Sequence, residues 1–368
     1  MRVVVTGQVG LDKQDYLEQV VQMARDHGED VVLFNIGDMM YREAPDVRPG
    51  RILDLPLARL NNLRRAVFRD VISAAAKHKH VIVNTHATFR WKHGLFSAFD
   101  FDQLSQFGAD TYLTLVDNIE AVHERMNRDH DLEHSLKDLM VWREEEMLAT
   151  EIVARSNPAK AAQFFVIARG RHQNTCAAMF RLIFRPNMVK VYPSFPMSHV
   201  TDMPDILKEI DAFRAALAER FVTFDPGDVD EKLLADQAIA AAREGKQALV
   251  LEVNGNTIHI KTAEILQIVG DIDGQIYARD FTLVRQSDMI VSYIPELPTG
   301  KPGLSSGVER ELQHAHEHAK DVFVIWKPKR EPSPFITQTA NKVFRSVDEA
   351  IAYFEEKGYC KDYNLFGS

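Results

Sequence analysis

Residues 279–328 read RDFTLVRQSDMIVSYIPELPTGKPGLSSGVERELQHAHEHAKDVFVIWKP, and this stretch decides the fold class. Met289–Ile294 (MIVSYI) is a short apolar run rich in β-formers, the kind expected of a parallel strand buried on both faces. A Pro/Gly-rich loop follows over 295–303. Ser305-Ser306-Gly307 then opens a helix that carries Glu309 and Glu311 in its early turns and ends near Lys320. Residues 322–326 (VFVIW) form the next buried strand. Strand, loop, helix, strand is the repeating unit of an open α/β sheet, whose ligands bind outside the carboxyl ends of the strands.

The segment resembles the nucleoside 2-deoxyribosyltransferase family, including its branch of deoxynucleoside 5'-monophosphate N-glycosidases. Asp280 precedes FTLVRQSD and the buried strand, and Glu311 stands four residues past Gly307. The helix continues Leu312-Gln313-His314-Ala315, where the family often has Leu-Gly-x-Ala. Residues 189–198 (VKVYPSFPMS) resemble the family's first strand and substrate loop, and 221–226 (FVTFDP) its second strand. The resemblance spans about 188–330, with an insertion-like region at 248–268. It implies a flavodoxin-like domain that breaks an N-glycosidic bond, with Glu311 as nucleophile and Asp280 hydrogen-bonding or protonating the base. It also implies substrate contacts from Tyr192, Ser194, Ser198, Asp225, Ser305, Ser306 and Gly307. The chemistry suits these residue types. Positive charge builds on the anomeric carbon as the base leaves, so a carboxylate on one side and an acid on the other are needed. A helix start with free amides and hydroxyls favours a phosphate or sugar hydroxyl. A first-turn glutamate is more often a helix-dipole partner alone, which is the reading for Glu309.

The chain opens with a buried strand, Arg2–Thr6, running into Gly7-Gln8-Val9-Gly10-Leu11-Asp12-Lys13-Gln14. The position and length are those of a phosphate-binding loop, GxxxxGK[ST]. Asp12 replaces the glycine before the lysine and Gln14 the following hydroxyl residue. Further blocks resemble archaeal-type adenylate kinases: 31–41 (VVLFNIGDMMY), 81–90 (VIVNTHATFR), 112–116, a lid start at 124–129, a last strand at 164–167 and a closing helix at 175–184. This resemblance covers about 1–186. It implies nucleotide contacts from Gly7, Gly10, Lys13, His86, Arg125 and Arg128. Asn84 stands where an acid is expected, and DLEH at 131–134 replaces an Arg-rich lid. A carboxylate at Asp12 repels phosphates or pairs with Lys13. These departures together predict a domain inactive as a kinase, which either binds a nucleotide or serves as an assembly scaffold.

The expected architecture is α/β with two doubly wound parallel-sheet domains. A P-loop kinase-like domain fills 1–186 and a flavodoxin-like, nucleoside deoxyribosyltransferase-like domain fills 187–368, with the junction near Arg185-Pro186-Asn187. The 368 residues suit two cores. Net charge of −9 and a pI of about 5.9 give no basic field for nucleic acid. The apolar runs are strand-length, Met1 leads directly into a strand, and Cys176 and Cys360 lack metal spacing. A cytoplasmic protein with free thiols and no membrane segment is therefore expected. Residues 132–156 read as an amphipathic helix with Met140, Met147 and Ile152 inward and Glu144-Glu145-Glu146 as a solvated face. Alternation around Asn254-Gly255-Asn256 predicts a β-hairpin that caps the pocket or adds a dimer contact. His314 and His318 share a helix face that excludes His316, and polar surface is a better reading of them than a metal site.

Three function classes follow. The first is an N-glycosidase or deoxyribosyltransferase acting on a nucleoside or nucleoside 5'-monophosphate, needing no cofactor and regulated by a nucleotide effector at the P-loop-like site. The second is a non-catalytic nucleotide sensor, and the third an unusual nucleoside monophosphate kinase. Both resemblances imply a homo-oligomer: a dimer, a trimer or a hexamer.

Overall fold

The apolar runs of the first half become strands of one parallel sheet. A computed structural model describes residues 1–130, 134–156, 162–169, 174–197 and 200–360. β1 (Arg2–Thr6) leads to α1 (Lys13–Asp26), β2 (Val31–Asn35) and α2 (Ile36–Glu43). Next come α3 (Leu57–Ala75), β3 (His80–Asn84) and a small antiparallel pair, β4 (Thr88–Trp91) with β5 (Gly94–Ser97). α4 (Phe101–Phe107), β6 (Thr111–Val116), α5 (Ile119–Asp129), α6 (Leu136–Ser156) and β7 (Gln163–Ala168) follow. The sheet order is β2-β3-β1-β6-β7, with every pairing parallel. Val3, Val4 and Val5 are at most 1% exposed and all of β6 is buried, because both faces of the sheet are covered.

The second half contributes α7 (Asn174–Phe184), β8 (Lys190–Ser194), α8 (Pro204–Arg220), β9 (Val222–Thr223) and α9 (Lys232–Arg243). The hairpin β10 (Ala248–Val253) with β11 (Asn256–Lys261) precedes α10 (Thr262–Gln286) and β12 (Met289–Ile294). α11 (Ser306–Glu317), β13 (Asp321–Trp326), α12 (Pro334–Thr337), β14 (Lys342–Phe344) and α13 (Val347–Lys357) complete it. The second parallel sheet runs β14-β13-β12-β8-β9. Counted within this sheet the order is 2-1-3-4-5, the flavodoxin-like order, with its switch point between β8 and β12. Phe213, Phe221, Phe323, Phe344 and Phe354 fill one core cluster beneath it, each at most 1% exposed.

The chain divides into two compact units that do not follow chain order. One joins Met1–Cys176 to Val229–Gly274; the other joins Ala177–Asp228 to the residues from Gln275 onward. A simple division at 186/187 therefore differs from the contacts in two places. Arg181 of α7 donates to the carbonyls of Ala218, Glu219 and Phe221, which ties the end of that helix to α8 in the second unit. The hairpin forms where its Asn-Gly turn predicts, with φ of 52° at Asn254 and 80° at Gly255. It belongs to the first unit, where Asn254 and Asn256 each donate to Glu124 of α5, at 2.9 and 2.8 Å.

α6 starts at Leu136, and 131–133 lie outside the described residues. Met140 is buried and Met147 half-buried, but Ile152 is 58% exposed. The Glu144–Glu146 run is not a uniformly solvated face. Glu145 pairs with Arg90 at 2.5 Å and Glu146 is 1% exposed. β9 is shorter than FVTFDP suggested, because Pro226 enters a 3-10 turn, Pro226–Asp228. Among the described residues no helix is long and apolar enough to cross a membrane.

Candidate functional site

In the second unit, β8 ends and α11 begins at the switch point of the sheet. Ser305 caps α11 by accepting from Val308 N at 3.2 Å, and this sets Glu311 in the helix's second turn. Tyr192 and Ser194 alternate along β8, so both side chains leave the same face of the strand. They meet Glu311 there: Tyr192 Oη donates to Oε1 at 3.0 Å and Ser194 Oγ to Oε2 at 2.6 Å. Both donors are fully buried, and no cation lies within ion-pair distance of Glu311 among the described residues. Burial pushes the Glu311 carboxyl above its ordinary range, against the pull of the two hydroxyls. Burial, followed by the charges of Asp280 and Glu311, holds the Tyr192 phenol well above its usual value, so Tyr192 remains a donor.

The structure thus brings Tyr192, Ser194, Asp280 and Glu311 into one neighbourhood. Asp225 also acts on Tyr192, but its oxygens are engaged by Arg214 at 2.6 Å and by Gly227 N at 2.9 Å. Ser306 and Gly307 are the first two residues of α11. Gly307 has no left-handed φ, and an added Cβ would meet only Ser305 Oγ, at 3.6 Å. Glycine is therefore not demanded there by backbone geometry. Ser198 lies outside the described residues. Ser292 was not foreseen: it faces Ser194 across the β8–β12 pairing, Oγ to Oγ at 3.4 Å.

In the first unit the loop after β1 bends at two glycines of positive φ. Gly7 has φ of 143°, and a Cβ there would strike Leu11 Cδ1 at 2.6 Å and Leu115 O at 2.8 Å. Gly10 has φ of 85°, and Asp12 takes a left-handed φ of 45° where the motif has glycine. Lys13 turns back to donate to Gly7 O at 2.7 Å and contacts the His86 ring at 3.2 and 3.3 Å. Burial lowers Lys13 to about 7, against the charges of Glu146 and Asp12. Burial and Lys13 hold His86 well below its ordinary value.

Of the six expected nucleotide contacts, Gly7, Gly10, Lys13 and His86 converge, while the two arginines are otherwise engaged. Arg125 donates to Gly10 O at 3.0 Å and to Asp117 at 2.8 Å, and it faces Asp12 at 3.6 Å. Arg128 pairs with Asp129 at 2.6 Å and with Asp12 at 3.5 Å. Asp12 is thus directed at the arginines and not at Lys13. Glu146 is the residue that sequence reasoning missed. Its Oε1 accepts from Gly7 N (2.9 Å) and Ala87 N (2.7 Å), and its Oε2 from Thr88 N (2.7 Å) and Thr88 Oγ (2.8 Å). No local signal marks it out, since its partners lie 58 or more residues away. Beside the loop opens a cleft of about 410 Å³, lined by Lys13, Arg64, Asn84 and His86 among others.

Residues 6–143 match the model of a protein family described as an AAA domain. Solved structures similar to the chain include shikimate kinase from Bacteroides thetaiotaomicron, at 11% identity and a TM-score of 0.31, covering 50% of this chain and 95% of that one. A gluconokinase from Sinorhizobium meliloti 1021 has 13% identity and a TM-score of 0.29, with 50% and 97% covered. The tunicamycin resistance protein of Deinococcus radiodurans has 14% identity and a TM-score of 0.26, with 44% and 84% covered. A search of curated proteins found no match.

Proposed function

We propose that the second unit cleaves the N-glycosidic bond of a nucleoside or nucleoside 5'-monophosphate, with Glu311 as nucleophile. The observation that carries this reading is the grip of two buried hydroxyls on a carboxylate that has no counter-cation among the described residues, at the switch point of a 2-1-3-4-5 sheet. A carboxylate short of solvent is a stronger nucleophile toward an electron-poor carbon, and the hydroxyls fix its direction. Glu311 forms a C–O bond to the anomeric carbon as the C–N bond breaks. The base leaves with the C–N electron pair and takes up a proton, the role this reading gives to Asp280. Attack by water on the same carbon then frees Glu311 and gives the sugar; attack by a second base gives transfer. The Ser305 end of α11 suits a 5'-phosphate. The kinase-like half binds a nucleotide as effector.

The test is base release from a panel of ribo- and deoxynucleosides and their 5'-monophosphates, for wild type and Glu311→Gln. Release by wild type that is lost in the variant supports the reading, and adding a second base separates hydrolysis from transfer. Release that survives removes Glu311 as nucleophile. A second reading, a nucleoside monophosphate kinase of unusual loop chemistry, is favoured by the family match over 6–143. Against it stand Asp12 among the arginines and Gln14 in place of a hydroxyl. Nucleoside-dependent ADP formation from ATP would establish it.

A further inference from the structure

β12 (MIVSYI) carries one serine in an otherwise apolar and aromatic run. Ser292 is 0% exposed. It pairs with Ser194 of β8 on one side and with Val324 of β13 on the other, so it lies in the middle of the second sheet. A hydroxyl buried there is costly unless it is bonded. Among the described residues its hydrogen bond goes to Ser194 Oγ, at 3.4 Å. For two hydroxyls this is a long bond, too weak to account for Ser292 by stability. An alanine at that position would simply continue the apolar run.

The direction of the contact follows from the hydrogens present. A carboxylate oxygen only accepts, so the single hydrogen of Ser194 is committed to Glu311 Oε2 at 2.6 Å. The contact between the two serines then runs from Ser292 to Ser194. Ser292 Oγ, Ser194 Oγ and Glu311 Oε2 thus form a chain across the switch point of the sheet. A donor behind a donor strengthens it, because each hydrogen bond polarises the next where water is excluded. It also opposes the other rotamer, in which Ser194 would turn its hydrogen toward β12. The second carboxylate oxygen is held differently. Tyr192 reaches Glu311 Oε1 at 3.0 Å, and the residue paired with Tyr192 on β12 is Ile290, whose side chain has no hydrogen bond to give.

We infer that Ser292 is a positioning residue of the site in the second unit, holding Ser194 as a standing donor to Glu311 Oε2 while Glu311 gains and loses its bond to the sugar. The inference rests on the glycosidic reading. No bond is made or broken at Ser292, which acts on Glu311 through Ser194.

The experiment compares full-length Ser292→Ala and Ser292→Thr with wild type, on the substrate that the base-release panel identifies. It reads kcat and KM across pH, together with thermal unfolding. Tyr192 and Ser194 of β8 face Glu311, and Asp280 of α10 and Asp225 after β9 act on Tyr192; both variants keep all four. Ser292→Ala should lower kcat about 3- to 10-fold with KM unchanged, as expected when part of one charge-assisted hydrogen bond is lost. It should also move the acid limb of kcat/KM upward by about half a pH unit, because the carboxylate loses support that its protonated form does not need. Ser292→Thr keeps the hydroxyl and should restore both values. The unfolding midpoint of Ser292→Ala should equal or exceed that of wild type, since a buried hydroxyl with one long bond is removed. A lower midpoint with an unmoved acid limb would make Ser292 a structural residue and overturn the inference. Should the alanine variant not fold, Ser292→Cys, with its weaker donor, repeats the test. If base release is lost in Glu311→Gln but kcat and the acid limb are unchanged in Ser292→Ala, this inference alone fails. If wild type releases no base, the glycosidic reading fails and this inference with it.

Discussion

Each unit places a glutamate at the carboxyl end of a parallel sheet, and the two differ in what holds them. Glu146 accepts four hydrogen bonds, three of them from main-chain amides. Glu311 accepts two, both from side-chain hydroxyls. A main-chain amide can only donate, and its position is set by the fold. A hydroxyl can rotate and accept instead. Glu146 is therefore a brace between the loop after β1 and the start of β4, locked as an acceptor. Glu311 is held by hydroxyls alone, which is the setting the proposed nucleophile requires.

The same substitution at the two positions should separate these roles. Glu311→Gln is expected to lower base release by at least about 10³-fold, as removal of a nucleophile does. Steady-state kinetics on the substrate found in the panel measures it, and residual activity above a tenth of wild type would equate the two glutamates. Glu146→Gln should leave that chemistry alone and cost about 3 kcal/mol of stability. Its amide nitrogen must face at least one buried N–H, leaving donors unmet at about 1–3 kcal/mol each. Denaturant unfolding reads this loss, and an unchanged midpoint would show that Glu146 is no brace.

The loop itself offers a smaller test. Asp12 sits in the left-handed region, which strains a non-glycine residue by about 1 kcal/mol, and its carboxylate occupies Arg125 and Arg128. Asp12→Gly relieves the strain and releases both arginines. Pyrophosphate or ATP binding should tighten about tenfold, the scale of one partly exposed charge, as titration calorimetry would show. Binding that does not change would mean that Glu146, and not Asp12, closes the loop to phosphate.

What was legible in the sequence was local. Met289–Ile294, the loop after it and α11 lie within 29 residues of one another, and the positions of Tyr192, Ser194 and Glu311 follow from short blocks. The Asn-Gly turn announced the hairpin. Its docking on α5 was not announced, because strand alternation says which residues pair and nothing about which helix receives the tip. Glu146 was hidden for the same reason: in a run of three glutamates, helical spacing alone marks a solvated face, and donors at Gly7, Ala87 and Thr88 arrive only with the fold. Arg214 bound to Asp225 is likewise a contact between the body of α8 and the turn after β9, invisible to motif reading.

The smallest effect discriminates best. Burial raises the Glu311 carboxyl above its ordinary 4.5, so the folded protein binds this proton more tightly than the unfolded chain. Stability from this group is then fully present below pH 4.5 and is lost as pH rises through the folded value. Glu311→Gln removes the titration. Tyr192 still donates to the amide oxygen, and Ser194 can rotate to accept from the amide nitrogen. The variant should therefore match wild type in acid and exceed it by about 1 kcal/mol at neutral pH, the gain typical of relieving a functional residue. Unfolding midpoints of both proteins from about pH 4 to about pH 8 test the sign. A variant that instead falls below wild type as pH rises toward neutral would mean that the folded carboxyl titrates below its ordinary value. The hydroxyl grip would then outweigh burial, and Glu311 would be a brace like Glu146.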